Sequence, residues 1–317
     1  MSPTLPSFPF TKMHGAANDY VYVDLRAVAA EQGEAAAAML RERAPEIATV
    51  VSDRRTGIGG DGLILIAEPD EATTAEARMV MFNADGSQAE MCGDGVRCVG
   101  KYVHDRWQSG TPDSVRIETP RGTLPIDIVA REGDRATQLR VNMETPVLRP
   151  SEVPTTLVGE PDQPVLEVAI DVDPAGCGVP ADFRVFVTAV SMGNPHAVVF
   201  FDGDEAVLVT DQLVHTLGPR IEHYAAFPNR TNVEFVTVPD RSQFVQRTWE
   251  RGSGETFACG TGACAVAVAG ILTGRLDHRV VGHLLGGDLT LEWTGQSQDP
   301  VFMTGGAESV FEGRWPG

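Results

Sequence analysis

The chain has 317 residues, 42% hydrophobic and 22% charged, enough for about two domains with real cores. Its formal net charge of −19 excludes a sequence-independent nucleic-acid binder, which needs a basic patch for phosphates. No run approaches the ~18–20 consecutive apolar residues that span a bilayer, so no membrane partner is expected.

The N-terminal stretch "MSPTLPSFPF" has no charged region followed by an apolar run, so it does not read as a signal peptide. It reads as a short, partly disordered lead-in to a cytoplasmic protein. Strand-like runs then follow: "YVYVD" (20–24), "GLILIAE" (62–68), "RMVMFN" (78–83), "SVRIET" (114–119), "TLPIDIVA" (123–130) and "TQLRVNM" (137–143). A proline-rich, acidic stretch at about 146–164 marks the expected domain boundary. Beyond it come "VLEVAID" (165–171), "FRVFVTAV" (183–190), "HAVVFF" (196–201), "NVEFVTV" (232–238), "QFVQRTW" (243–249) and "DLTLEW" (288–293). These runs are rich in β-branched and aromatic residues and bounded by Gly, Pro, Asn and Asp, as strands should be.

Helical patterning is sparser. Residues 31–43 ("EQGEAAAAMLRER") read as one surface helix and 204–217 as another. Two more are expected at about 94–107 and 261–273, each just after a Cys-Gly-x-Gly frame: "MCGDGVRC" (91–98) and "ACGTGAC" (258–264). The second helix, "GACAVAVAGILTG", is small and apolar on every face. It must be surrounded, and it is too short for a membrane. The pattern predicts an internal duplication in which each half curls its strands around one central helix, with a cysteine at that helix's N-terminus.

A cysteine there sits beside unsatisfied N–H groups and the positive end of the helix dipole, which favours thiolate. The glycines allow a ligand to approach backbone N–H groups that suit a carboxylate. Two such sites facing each other suit a racemase or epimerase: one thiolate removes a proton from a carbon and the opposite thiol delivers one to the other face. The helix N-termini would stabilise the charge of the carbanion intermediate. Structural zinc fits poorly, because five residues separate the cysteines of the first frame and four those of the second, against the usual two to four, and glycines stand at the cysteines in both. A Cys-His hydrolase could use His196 but leaves one frame unexplained. The odd count of five cysteines argues for reduced thiols; Cys98 and Cys264 read as small core residues and Cys177 as a loop thiol without a partner. "GIGGDG" (57–62) matches a dinucleotide-binding pattern, but its glycines lead into a strand rather than out of one, so it reads as a turn.

In order along the chain, "KMHGAANDYVYVD" (12–24), "RRTGIGGDG" (54–62), "NADGS" (83–87), "MCGDGVRC" (91–98), "SMGNPH" (191–196), "TNVEF" (231–235), "ERGSGETFACGTGAC" (250–264) and "FMTGGA" (302–307) resemble the diaminopimelate epimerase family. The resemblance runs from Lys12 to about Gly313. It implies an α/β fold of the α+β type: two pseudo-symmetric domains, each a curved, mostly antiparallel sheet around a central helix, with the active site in the cleft between them. The expected domains are 1–148, completed by a last strand at 306–317, and 149–305. It also implies cofactor-independent and metal-free interconversion of L,L- and meso-diaminopimelate, for lysine and peptidoglycan precursors, by a homodimer.

Carried over by position, the resemblance makes Cys92 and Cys259 the acid/base pair, with His196 and Glu250 tuning the thiols. Gly93, Asp94, Gly260 and Thr261 would present backbone N–H groups to the reacting carboxylate. Asn18, Asn83, Asn194, Asn232 and Arg251 would hold the far amino acid end, Arg by a bidentate grip; the asparagines also suit turns. Two departures stand out. The first frame reads C-G-D-G where the family usually has C-G-N-G, so Asp94 should repel both a thiolate and the substrate carboxylate unless it points to solvent. Gly62 stands where some members carry a Gln that touches substrate. The rival readings are a racemase of the same fold acting on another amino acid, such as histidine or proline, and a non-catalytic amino acid sensor. Arg251 with Asn83 and Asn232 favours a substrate with two amino acid ends, and a sensor needs no pair of acid/base thiols.

Overall fold

The computed structural model describes residues 5–70, 75–89, 92–108, 111–157, 163–201 and 209–317. The chain divides into two compact units, one of residues 1–141 with 304–317 and one of 142–303.

In the first unit the strands are β1 (Phe8–Gly15), β2 (Asn18–Asp24), β3 (Gly62–Ala67), β4 (Ala77–Asn83), β5 (Gln88–Ala89), β6 (Ser114–Thr119), β7 (Gly122–Glu132) and β8 (Arg135–Asn142). Between β2 and β3 lie α1 (Leu25–Gln32), α2 (Glu34–Glu42) and α3 (Ala44–Ser52), and between β5 and β6 lies α4 (Gly93–Tyr102), which runs on into a π-helical turn, Val103–Trp107. The stretch read as one helix at 31–43 is therefore two. Gly33, at φ 89°, closes α1 by donating to Ala29 O and starts α2, and Pro45 opens α3 in its first turn. The N-terminal reading also needs correction. Phe8 is fully buried and β1 pairs with both β2 and the C-terminal strand β18 (Glu308–Trp315).

The second unit contains β9 (Val168–Ile170), β10 (Val185–Ser191), β11 (Pro195–Phe200), β12 (Asn232–Asp240), β13 (Gln243–Glu250), β14 (Gly254–Thr256), β15 (Arg279–Leu284) and β16 (Gly287–Glu292), and the division between the units falls within β17 (Phe302–Gly306). Its helices are α5 (Asp211–Glu222) and α6 (Gly260–Leu272). The first part of the helix expected at 204–217 lies outside the described residues, and the rest is α5, capped by the Thr210 hydroxyl.

The pairing repeats. In the first unit β1–β2 is antiparallel, β2–β3 parallel, β3–β4 antiparallel, β4–β5 antiparallel, β4–β6 parallel and β6–β7 antiparallel. In the second, β10–β11, β11–β12, β12–β13, β13–β14, β13–β15 and β15–β16 follow the same sequence of directions. In both, the helix follows a strand of only two or three residues, β5 or β14. The all-apolar helix is enclosed as its composition requires: α6 packs on β10, β11, β12, β15 and β16, and every residue from Gly262 to Gly270 is buried. α4 packs on β1, β2 and β6, and its buried Lys101 is satisfied by Ala136 O at 2.6 Å and Asp105 at 2.8 Å.

Candidate active site

Each Cys-Gly-x-Gly frame opens a helix. Cys92 caps α4 at φ −135°, ψ 122°, and Cys259 caps α6 at φ −134°, ψ 103°. Each Sγ does what a Ser or Asp oxygen does at an N-cap: it accepts from the N–H three residues on, Gly95 at 3.4 Å and Gly262 at 3.3 Å. The N–H groups of Gly93, Asp94, Gly260 and Thr261 belong to the first helical turn, whose donors have no partner within the helix.

In the first unit Asn18 Nδ2 lies 3.5 Å from Cys92 Sγ and 3.2 Å from Asp94 Oδ2. Asp94 does not point to solvent. It is buried and ion-paired with the fully buried Arg97 at 2.5 Å, one helical turn along. Cys92 keeps some surface as a residue, but its thiol is crowded. Desolvation first, and the Asp94 carboxylate second, push it up to about 12. The Tyr20 hydroxyl hydrogen-bonds to the same sulfur. Asn83 is held elsewhere: its amide donates to Ser87 Oγ at 3.0 Å in the β4–β5 turn, the role that turn chemistry predicts. Gly62 has a steric reason to be glycine, since a Cβ there would meet Phe82 O at 2.1 Å and Tyr20 Cε1 at 3.0 Å. "GIGGDG" is a turn leading into β3, fixed by Arg54 between Asp19 (2.7 Å) and Asp61 (2.9 Å) and by Lys12 donating to Gly59 O.

In the second unit the expected residues converge more tightly. His196 is fully buried, with Nδ1 2.7 Å from Glu234 Oε1 and Nε2 3.1 Å from Asn194 Oδ1. One ligand-type atom each of His196, Glu234 and Cys259 lie within 4.8 Å of one another. Such groups can hold a metal ion, but here both imidazole nitrogens and both Glu234 oxygens already face hydrogen-bond partners. Thr261 Oγ1 stands 3.4 Å from Cys259 Sγ. Glu250 accepts from Thr256 Oγ1 at 2.6 Å. Burial first, then the Glu250 and Glu234 carboxylates, push the Cys259 thiol well above its ordinary range. Asn232 Oδ1 accepts from the Arg251 backbone N–H at 2.8 Å, while the exposed Arg251 guanidinium donates to Asn229 O at 3.0 Å.

Two expectations change. The helix N-terminus does not leave either thiol acidic, because the hydrogen bonds each sulfur receives do not offset removal from water beside carboxylates. Cys177 is not a loose loop thiol. It is buried in the core of its unit, and Arg220 reaches its sulfur at 3.6 Å. Cys98 and Cys264 are buried within the helices, as small core residues should be. Glu234 was missed: "NVEFV" alternates as a strand with an exposed Glu, whereas β12 is buried on both faces from Asn232 to Val236. The one available signal was the helix without a polar face, which requires apolar or self-satisfied neighbours on every side.

The sequence matches the family described as diaminopimelate epimerase over residues 10–148 and 188–310. It is 44% identical over 304 residues to a diaminopimelate epimerase of Leptospira biflexa, covering 96% of this chain and 97% of that protein. It is 41% identical over 304 residues to one of Methanococcus maripaludis, covering 96% and 98%. Among solved structures it resembles a hydroxyproline epimerase from Agrobacterium vitis (TM-score 0.63, 12% identity, 98% of this chain and 91% of that one). A phenazine biosynthesis protein of the PhzF family from Bacillus anthracis is similar to the same degree (TM-score 0.63, 14% identity, 98% and 99%). At such identities these last two establish a shared two-domain α/β fold.

Proposed function

The chain belongs to the diaminopimelate epimerase family; it is an isomerase whose activity is diaminopimelate epimerisation, and we propose that Cys92 and Cys259 carry it as a cofactor-independent acid/base pair. The observation behind this reading is the repetition: two thiols in the same N-cap conformation, each at the head of the enclosed helix of a like-built unit. One thiolate takes the α-proton of L,L-diaminopimelate and the other thiol protonates the opposite face, giving the meso isomer. The first-turn N–H groups of Gly93, Asp94, Gly260 and Thr261 receive the reacting carboxylate as charge develops on it.

Both thiols rest in their neutral form by the burial described above, so ionisation of one has to accompany substrate binding or be supported by a nearby cation. Arg251, exposed and anchored by Asn232, grips the distal carboxylate, and Asn18 and Asn194 face the ammonium and carboxylate groups from either frame. Asn83 contributes through the turn it holds. The protein acts in the cytoplasm, as a homodimer, on the route to lysine and peptidoglycan precursors.

Incubation with L,L-diaminopimelate in D2O, followed by NMR, tests the reading. The meso product should carry deuterium at one α-carbon while unreacted substrate stays protiated early on. Exchange or turnover with proline or histidine in place of diaminopimelate would favour the racemase reading, and binding without exchange would favour a sensor.

A further inference from the structure

The hairpin that carries Glu250 and Arg251 joins β13 to β14, with Glu250 opposite Gly254 and the turn 251–253 at its tip. The matched turn of the first unit, between β4 and β5, closes on its own side chains. There Asp85 accepts from the Ser87 N–H at 2.8 Å and from the Ser87 hydroxyl at 2.5 Å, and Asn83 donates to that hydroxyl at 3.0 Å. The 251–253 turn has a backbone bond of its own, Ser253 N–H to Glu250 O at 3.1 Å, but takes its side-chain support from α5 and β12.

One face of α5 meets this hairpin. Asp211, His215, Gly218 and Glu222 recur at helical spacing along it. Asp211 pairs with Arg247 at 2.8 Å and His215 with Glu255 at 2.6 Å, while Trp249 lies on Gly218, where a Cβ would meet the indole Cγ at 2.7 Å. The missing side chain at Gly218 lets the indole N–H come down to Glu222, 2.8 Å from its Oε2. Glu222 Oε1 accepts from the Gly252 N–H at 3.0 Å, and Arg230 Nη1 stands 3.5 Å from the same oxygen. The buried Glu222, last residue of α5, thus clasps residues 249 and 252 and brackets Glu250 and Arg251 between them. Asn232 Oδ1, on the N–H of Arg251 itself, adds a third point. A buried carboxyl is a poor way to add stability, because desolvation offsets much of what its bonds contribute. What its two oxygens do fix is the course of the backbone they hold.

We propose that Glu222 is a positioning residue for the far-end grip: by clasping Trp249 and Gly252 it fixes the turn from which Arg251 reaches, and so helps to select a substrate with a second carboxylate. The proposal rests on the reading of Arg251 as that grip. A guanidinium that starts from a fixed backbone has less freedom to lose when it closes on a carboxylate. Glutamate suits the place because both of its oxygens accept. A glutamine of the same shape accepts at one oxygen and turns an NH2 group toward the other donor.

A double-mutant cycle with Arg251→Lys tests this. The distal end keeps its charge through the reaction, so a loosened grip weakens ground and transition states alike and shows in KM. Glu222→Gln should raise KM for diaminopimelate about tenfold and leave kcat within about twofold. In the Arg251→Lys background the same change should add less than about twofold, because its effect passes through the lost fork. An unchanged KM in Glu222→Gln would overturn the proposal. So would a full multiplicative loss in the double variant, which is what a purely structural role gives. A second measurement needs no variant: in the unaltered protein the Gly252 N–H, on an exposed residue, should exchange with solvent at least about tenfold more slowly than a free amide. Exchange at the free rate would mean that Glu222 does not hold the turn, and would also overturn the proposal. An unaltered kcat/KM in Arg251→Lys alone would remove the parent reading and this one with it, whereas an impaired Arg251→Lys beside a normal Glu222→Gln removes this one only.

Discussion

The two units share a strand order, a pattern of strand directions and a cysteine cap of nearly the same dihedral angles, yet they surround that cysteine with different charges. In the first, the nearest carboxylate, Asp94, comes from the thiol's own helix and brings its countercharge, Arg97, one turn later. In the second, Thr261 takes the place of Asp94, and the carboxylates, Glu234 and Glu250, reach the thiol from strands β12 and β13. Backbone geometry that creates the cap and the unpaired first-turn N–H groups is the same in both halves. The electrostatics around it have been free to diverge, because packing constrains volume more tightly than charge. The proposed far-end grip is equally one-sided. Continuing the register, Ala84 stands where the second unit has Arg251.

Removing either thiol should have the largest effect. Cys92→Ala and Cys259→Ala should each reduce epimerisation by more than the ~10²–10⁴-fold of an ordinary acid or base, since neither group can act from the other's face. Circular dichroism should show both variants folded, and near-normal turnover in either would break the equivalence of the two frames. Arg251→Lys keeps the charge but loses the planar fork, so kcat/KM for diaminopimelate should fall by ~10–100-fold with little change in Tm. An unaltered value would take the distal carboxylate away from Arg251.

Asp94→Asn sharpens the contrast further. It removes the carboxylate that pairs with the buried Arg97, and because Asn keeps an acceptor the loss of stability should be about 1–3 kcal/mol. Removing the carboxylate should also lower the Cys92 thiol from its raised position, so the limb of the pH–rate profile that reports its ionisation should move to lower pH. An unmoved limb would mean that Arg97 already cancels the effect of Asp94 on the sulfur. The smallest effect should come from the matched glycines. Gly95→Ala meets the flexible end of Ile64, whereas Gly262→Ala meets a carboxylate held by three donors. Denaturant melts should therefore place Gly262→Ala about 1–2 kcal/mol below Gly95→Ala.

Much of this contrast could not be read from residue order. The strand runs, the two frames and the enclosure of 261–273 were legible because each rests on a local pattern: β-branched alternation, a Cys-Gly-x-Gly repeat, a helix with no polar face. β1 was obscured by the prolines ahead of it, and its place was decided by pairing with residues 308–315 at the other end of the chain. The break between α1 and α2 turned on one glycine at positive φ inside an otherwise continuous helical pattern. The roles proposed for the residues of the frames come from the resemblance. Glu234 was not, because its burial depends on a helix that begins 26 residues later and on partners, Gln246 and Thr248, across a strand pair. The raised thiols were hidden for the same reason: a cap is local, whereas desolvation belongs to the folded whole.

The central claim, that the two matched frames are halves of one site, is tested most directly by mild oxidation. Sulfurs that act on opposite faces of one carbon must come close together, so in the absence of substrate a mild oxidant should join Cys92 to Cys259 as the bond consumes both thiols. Activity should vanish, return with a thiol reductant, and be protected by bound diaminopimelate. Non-reducing peptide mapping should then show the Cys92–Cys259 disulfide. A bond from Cys92 to Cys98, or a free Cys259 in the inactivated protein, would contradict the shared site.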